Sequence, residues 1–122
     1  MDREEFQWLV EKAVSGLPEE FRGKLDNIDV VVDDWPSASQ LASVDLKKGH
    51  TLLGLYEGVP LTKRSIHYGL VPPDKISIFQ KPIEARCKNN LNITAEIQKT
   101  VKHEIAHHFG ISDARLRQLE RE

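Results

Sequence analysis

Phe6, Leu9, Val10, Ala13 and Val14 recur at the three-and-four spacing of one helical face, so residues 3 to 15 are expected to form an amphipathic helix. Gly16-Leu17-Pro18 ends that pattern, and Pro18-Glu19-Glu20-Phe21 reads as a second, short helical turn opened by proline. Ile28-Asp29-Val30-Val31-Val32 is short and β-branched, which predicts a strand. Asp33-Asp34-Trp35-Pro36-Ser37 breaks it. Residues 36 to 51 are polar and carry no clear period, so a long surface connection is expected, with a turn of helix at Ser39 to Ser43.

Leu52-Leu53-Gly54-Leu55-Tyr56 reads as a second strand, in which Gly54 lets another backbone approach closely and suits a sheet edge. Residues 59 to 73 form a long loop of the kind that carries function or moves. Lys75 to Gln80 is the third strand. Ile76 and Ile78 on one face and Phe79 on the other favour a central position in the sheet. Pro82 should open a short helix at its first position, running to about Lys88. The last long helix is expected to begin near Thr94, a suitable N-cap, and to stop at Gly110. Its buried stripe is Ile97, Val101, Ile105 and Phe109, spaced by four. His108 falls on that stripe, whereas His103 and His107 lie well around the helix from it and should face a cleft. A final helix from Asp113 to about Arg121 follows Ile111-Ser112. Trp8 and Trp35 are expected to be packing groups.

Composition narrows the class. A chain of 122 residues, 39% hydrophobic and 30% charged, suits a single domain over residues 1–122 with one core. The formal charge of −2 is spread along the chain. It lacks the basic stripe of a nucleic-acid binder, so nucleic acid is a disfavoured partner. The acidic start, Met1-Asp2-Arg3-Glu4-Glu5-Phe6, does not read as a signal peptide, and no apolar run is long enough for a membrane span. Cys87 is the only cysteine. Intramolecular disulfides are therefore impossible, and a cytoplasmic location is the simplest expectation.

The chemistry is concentrated in Val101-Lys102-His103-Glu104-Ile105-Ala106-His107-His108-Phe109-Gly110-Ile111-Ser112-Asp113. Residues four apart share a helical face, so His103 and His107 can aim ring nitrogens at one ion. Imidazole suits Zn2+. Glu104, rotated about 100° around the helix from His103, reaches a water beside the metal without ligating it. This is the H-E-x-x-H arrangement in which the glutamate is general base. Two histidines hold zinc poorly without a third donor. Gly110 can turn the chain back, and Asp113 follows three residues later, giving H-E-x-x-H-x-x-G-x-x-D, the metzincin pattern with aspartate in place of its last histidine. Asp113 also suits a cap or a first-turn acid of the final helix, and both roles are compatible. Glu120 and Glu122 are alternative third donors. His108 reads as a core group or one that orients a ligand. His67, Tyr68 and Arg64 on the long loop are candidates to steady an oxyanion, with surface packing as the plainer role. His50 reads as part of a solvated turn.

Most of the chain resembles the small bacterial zincin-like metallopeptidase family, the minimal zincins bearing H-E-x-x-H-x-x-G-x-x-D. The resemblance runs from Leu25-Asp26-Asn27 into Val30-Val31-Val32 and through Leu53-Gly54-Leu55-Tyr56-Glu57-Gly58-Val59-Pro60-Leu61-Thr62. It continues in Ile76-Ser77-Ile78-Phe79 and ends in His103 to Ile111 with Asp113. It implies an α+β minimal zincin-like fold, a short mixed β-sheet packed on the metal-binding helix, without a large C-terminal subdomain. It further implies His103, His107 and Asp113 as zinc ligands and Glu104 as the base. The metzincin Met-turn is missing, since Met1 is the only methionine. The expected activity is zinc-dependent hydrolysis of a peptide or protein substrate laid along the edge strand Leu52–Tyr56, with loop 59–73 as the opposite wall. Two rivals stand beside it. One is a non-catalytic, zinc-containing peptide-binding module. The other is a metal-dependent ribonuclease, disfavoured by the acidic balance and by Glu104, which stands where a ribosome-maturation family of comparable size has glycine.

Overall fold

A computed structural model describes residues 1–44, 52–58 and 74–121, apart from the side chains of Asp113 and residues 119–121. The first helix, α1 (Arg3–Ser15), is capped by Asp2, whose carboxylate accepts from the Glu5 N–H at 2.7 Å. Glu4 and Glu5 in its first turn oppose the positive end of the helix dipole. Phe6, Leu9, Val10 and Ala13 are buried along one face, as their spacing requires. After α2 (Glu19–Lys24) comes β1 (Ile28–Asp33), then the short helix α3 (Ala38–Ala42). A capping box between Ser37 and Gln40 starts α3.

β2 (Gly54–Glu57) and β3 (Asp74–Phe79) complete a three-stranded sheet of order β1-β3-β2. β1 pairs with β3 in parallel, Val30 opposite Ile76, and β2 pairs with β3 antiparallel, Gly54 opposite Ile78. The sheet is therefore mixed. β3 is central, and its buried run from Ile76 to Phe79 agrees with apolar residues on both faces.

β3 passes directly into α4 (Gln80–Arg86), two residues earlier than Pro82 alone suggests. Pro82 occupies the third helical position, where its missing N–H still falls among donors that have no intrahelical partner. Gln80 is buried yet satisfied. Its amide nitrogen donates to the Met1 carbonyl and to Glu84 Oε1, each at 3.0 Å, and its oxygen accepts from Arg3 Nε at 3.0 Å. The N-terminal segment is thereby tied to the end of β3.

The long helix is α5 (Asn90–Phe109), and it begins a turn before the expected Thr94. Asn89 is the true cap, its side chain accepting from the Asn92 N–H at 2.9 Å, while Thr94 Oγ1 donates back to the Asn90 carbonyl as an interior helical threonine does. α5 touches α1, α2, α4, β2 and β3. Ile97, Val101 and Ile105 lie at its fully buried centre, but Phe109 in the last turn is 45% exposed. Trp8 and Trp35 are also exposed rather than packed. The Lys12 ammonium covers the Trp8 ring at 4.3 Å from its centroid. The last helix, α6 (Asp113–Arg121), closes the chain order. No helix among the described residues is long and apolar enough to cross a membrane.

Candidate metal centre

The site is built from the second half of α5 and the edge of β2 that no other described strand pairs with. His103 and His107 stand one turn apart with ring centroids 5.1 Å apart and rings inclined at 60°. Both are exposed, whereas Ile105 and Ala106 between them are buried. The histidine pair thus looks into solvent and not into the core.

Glu104 reaches the sheet. Its Oε1 accepts a hydrogen bond from the backbone N–H of Tyr56 at 2.8 Å. The ladder explains why that N–H is available. Leu53 stands opposite Phe79 and accepts its N–H at 3.0 Å. In an antiparallel pair, every second residue turns its N–H and C=O towards the partner strand. Leu55 and Glu57 therefore face β3, and Gly54 and Tyr56 present their backbone groups at the edge.

Gly54 sets how closely α5 lies under that edge. A Cβ there would stand 2.5 Å from Thr100 Cγ2 and 3.1 Å from the Ser77 carbonyl oxygen. Another backbone was expected to approach Gly54, but the tightest approach is made by the Thr100 side chain of the helix, ahead of the Ser77 backbone oxygen.

The Tyr56 ring is held from two sides. His108 stacks on it, with centroids 3.8 Å apart and planes 15° apart, and the Tyr56 hydroxyl donates to Asp74 Oδ2 at 2.5 Å. Burial, then the hydrogen bond to Asp74 and the negative charge of that carboxylate, raise the Tyr56 pKa well above the ordinary phenol value. His108 is thus a clamp on the edge strand and not a core group. Tyr56 and Asp74 are contributors that motif reading does not single out. The only hint of them is the Leu53-to-Gly58 segment that carries the resemblance.

The chain reverses at Gly110, whose φ of 69° and ψ of 29° are left-handed. The N–H groups of Gly110 and Ile111 both bond to the Ala106 carbonyl, ending α5 in a Schellman-type turn. Ser112, not Asp113, caps α6, since its hydroxyl accepts from the Arg115 N–H at 3.1 Å. Asp113 begins α6 immediately after this turn. Its side chain lies outside the described part of the structure, as do those of Glu120 and Glu122 and the whole of His50, Arg64, His67 and Tyr68. Among the described residues, no three His, Cys, Asp or Glu side chains gather as a metal-holding group. The described donors are the two imidazoles, whose chemistry suits zinc.

The family model of zincin-like metallopeptidases matches residues 25–122. The chain belongs to that family. The match spans β1, both other strands and the whole of α5. No curated protein matches significantly. A solved structure, a conserved hypothetical protein from Thermo thermophilus, is similar at 21% identity with a TM-score of 0.56, covering 89% of this chain and 94% of that one. At that identity the likeness concerns the fold alone. The α+β architecture with a small mixed sheet against the H-E-x-x-H helix agrees with the zincin-like assignment.

Alongside His103 and Glu104, a cleft of about 300 Å³ opens between Leu52–Gly54 on one side and Glu96, Lys99 and Thr100 of α5 on the other, with Arg86 of α4 at its rim. It adjoins the start of the edge strand.

Proposed function

We propose that this zincin-like chain is a zinc-dependent peptidase acting on peptide or protein substrates in the cytoplasm. One observation carries the reading. The carboxylate between the two histidines is bonded to the open edge of a β-strand, so general base, ligand pair and peptide-pairing edge meet in one place. His103, His107 and Asp113 would hold the metal. The brevity of the turn from His107 through Gly110 to Asp113, together with the cap supplied by Ser112, leaves the Asp113 carboxylate unneeded for capping and supports it as third donor.

Zinc supplies, when bound, Lewis acidity that acidifies water and offsets negative charge building on the substrate carbonyl oxygen. The rest is the work of the chain. Gly54 and the Tyr56 carbonyl offer edge groups that pair with an extended peptide and lay its carbonyl over α5. Glu104, oriented through Oε1 by the Tyr56 N–H, takes a proton from the attacking water at Oε2. It then delivers that proton to the departing amine nitrogen. The clamp of His108 and Asp74 on Tyr56 holds the donor of that orienting bond in place.

The test is metal analysis of the purified protein combined with digestion of a peptide library, with Glu104→Gln as control. One equivalent of zinc and cleavage that depends on Glu104 are expected. One equivalent of zinc without such cleavage would overturn the peptidase reading and leave a peptide-binding module.

A further inference from the structure

The cleft beside His103 carries a charge that the reaction does not use. Arg86 is neutralised there, its Nε standing 3.3 Å from Glu96 Oε1. Lys99 lines the same cleft and is exposed, and among the described residues no ion pair engages its ammonium. Glu104 closes the other end of the cleft, where its carboxylate accepts from the Tyr56 N–H. Among the described lining residues, Lys99 is therefore the cation that no carboxylate engages, opposite a wall of Leu52, Leu53 and Gly54.

We infer that Lys99 receives a carboxylate of the bound peptide on the C-terminal side of the scissile bond, which makes it a specificity-determining residue. This rests on the peptidase reading for the position of the scissile bond. Two geometric steps lead to it. First, Lys99 lies one turn before His103 on α5, about 6 Å along the axis at 1.5 Å per residue. An extended peptide covers that distance in about two residues at 3.3 Å each. Second, a peptide added to β2 in the antiparallel sense, the more stable pairing, runs from Tyr56 towards Leu52. Its C-terminal half then lies over the cleft. The carboxylate comes either from an aspartate or glutamate side chain about two residues past the scissile bond, or from the C-terminus of a substrate that ends there. Either would pair with the Lys99 ammonium, and a basic group at that place would meet repulsion.

The test uses zinc-loaded full-length protein and extended decapeptides carrying Glu, Gln or Lys at successive positions, each made with a free and an amidated C-terminus. Cleavage is followed in the wild type. Binding is read by fluorescence anisotropy in the Glu104→Gln protein, with and without Lys99→Glu or Lys99→Arg. The expected preference for Glu over Gln at one position is about fivefold, as for an exposed ion pair, and shrinks with added salt. Lys99→Glu should reverse it in favour of Lys, and Lys99→Arg should keep it. If the preference follows the free C-terminus and ignores internal Glu, the terminal carboxylate is the group bound. Equal binding of Glu, Gln and Lys peptides, free and amidated, both with Lys99 intact and with Lys99→Glu, overturns the inference. A binding contrast without turnover in the wild type would strike the peptidase reading alone.

Discussion

The Tyr56 N–H donates to Glu104 Oε1 across 2.8 Å, joining the edge of β2 to the carboxylate that stands between two histidines. One oxygen of Glu104 is thereby oriented, and in the proposed reaction the other takes the proton. Glu104→Gln keeps an oxygen for the Tyr56 N–H and should preserve fold and zinc content. Peptide turnover should fall by at least about a hundredfold, the contribution of a positioned general base. Steady-state kcat/KM on any cleaved peptide checks this, and unchanged activity would remove Glu104 from its assigned role.

His107→Ala and Asp113→Ala should each lose zinc, whereas Ser112→Ala should not. Removal of the α6 cap in Ser112→Ala should cost about 1 kcal/mol of stability, since a lost N-cap costs ~0.5–2 kcal/mol. Metal content by elemental analysis and the zinc-induced rise in melting temperature separate the effects. A ligand variant loses both the zinc and the rise, while the cap variant keeps both from a lower starting point.

Gly54→Ala should destabilise the fold by about 1–3 kcal/mol, as overpacking does. Its new Cβ would stand 2.5 Å from Thr100 Cγ2. Thr100→Ser deletes that methyl and keeps the hydroxyl that donates to the Glu96 carbonyl at 2.8 Å. The double variant should therefore recover part of the loss in a denaturant titration. The remaining contact with the Ser77 carbonyl oxygen at 3.1 Å keeps the recovery incomplete.

Tyr56→Phe tests the clamp through pH. In the folded chain, burial and Asp74 raise the Tyr56 pKa above its unfolded value near 10. The folded state then holds the phenol proton where the unfolded state has released it. The resulting stability is fully present below about pH 10 and declines as pH rises towards the folded pKa. Wild type should exceed Tyr56→Phe by about 1 kcal/mol at neutral pH, the net worth of a hydrogen bond. The gap should narrow above pH 10. Parallel denaturation curves at pH 8 and pH 10.5 provide the check, and a constant gap would contradict the assignment.

Much of this molecule is written in local pattern. Helical spacing marks α1 and the Ile97-Val101-Ile105 stripe of α5, β-branched runs mark β1 and β3, and His103, Glu104 and His107 are recognisable from spacing alone. The helices and strands among these survive because each depends on neighbours within one turn or one strand. Boundaries set by longer-range or side-chain competition moved. Asn89 displaced Thr94 as cap, α4 grew straight out of buried β3, and Ser112 took the cap that Asp113 could have filled.

Phe109 shows the same limit at the far end of α5. Its place in the repeat is right for burial, but burial needs partners on every side. Its ring meets Tyr56 and His108 and lies under the Lys24 ammonium, yet 45% of the residue stays exposed. The hydrogen bond from Tyr56 to Glu104 has no counterpart in any local pattern, because its two residues are 48 apart and meet only when α5 lies under the β2 edge. Sequence pattern could name the candidate groups one helix carries. Which backbone donor faces them, and which cation is left over beside them, followed from how helix and sheet pack.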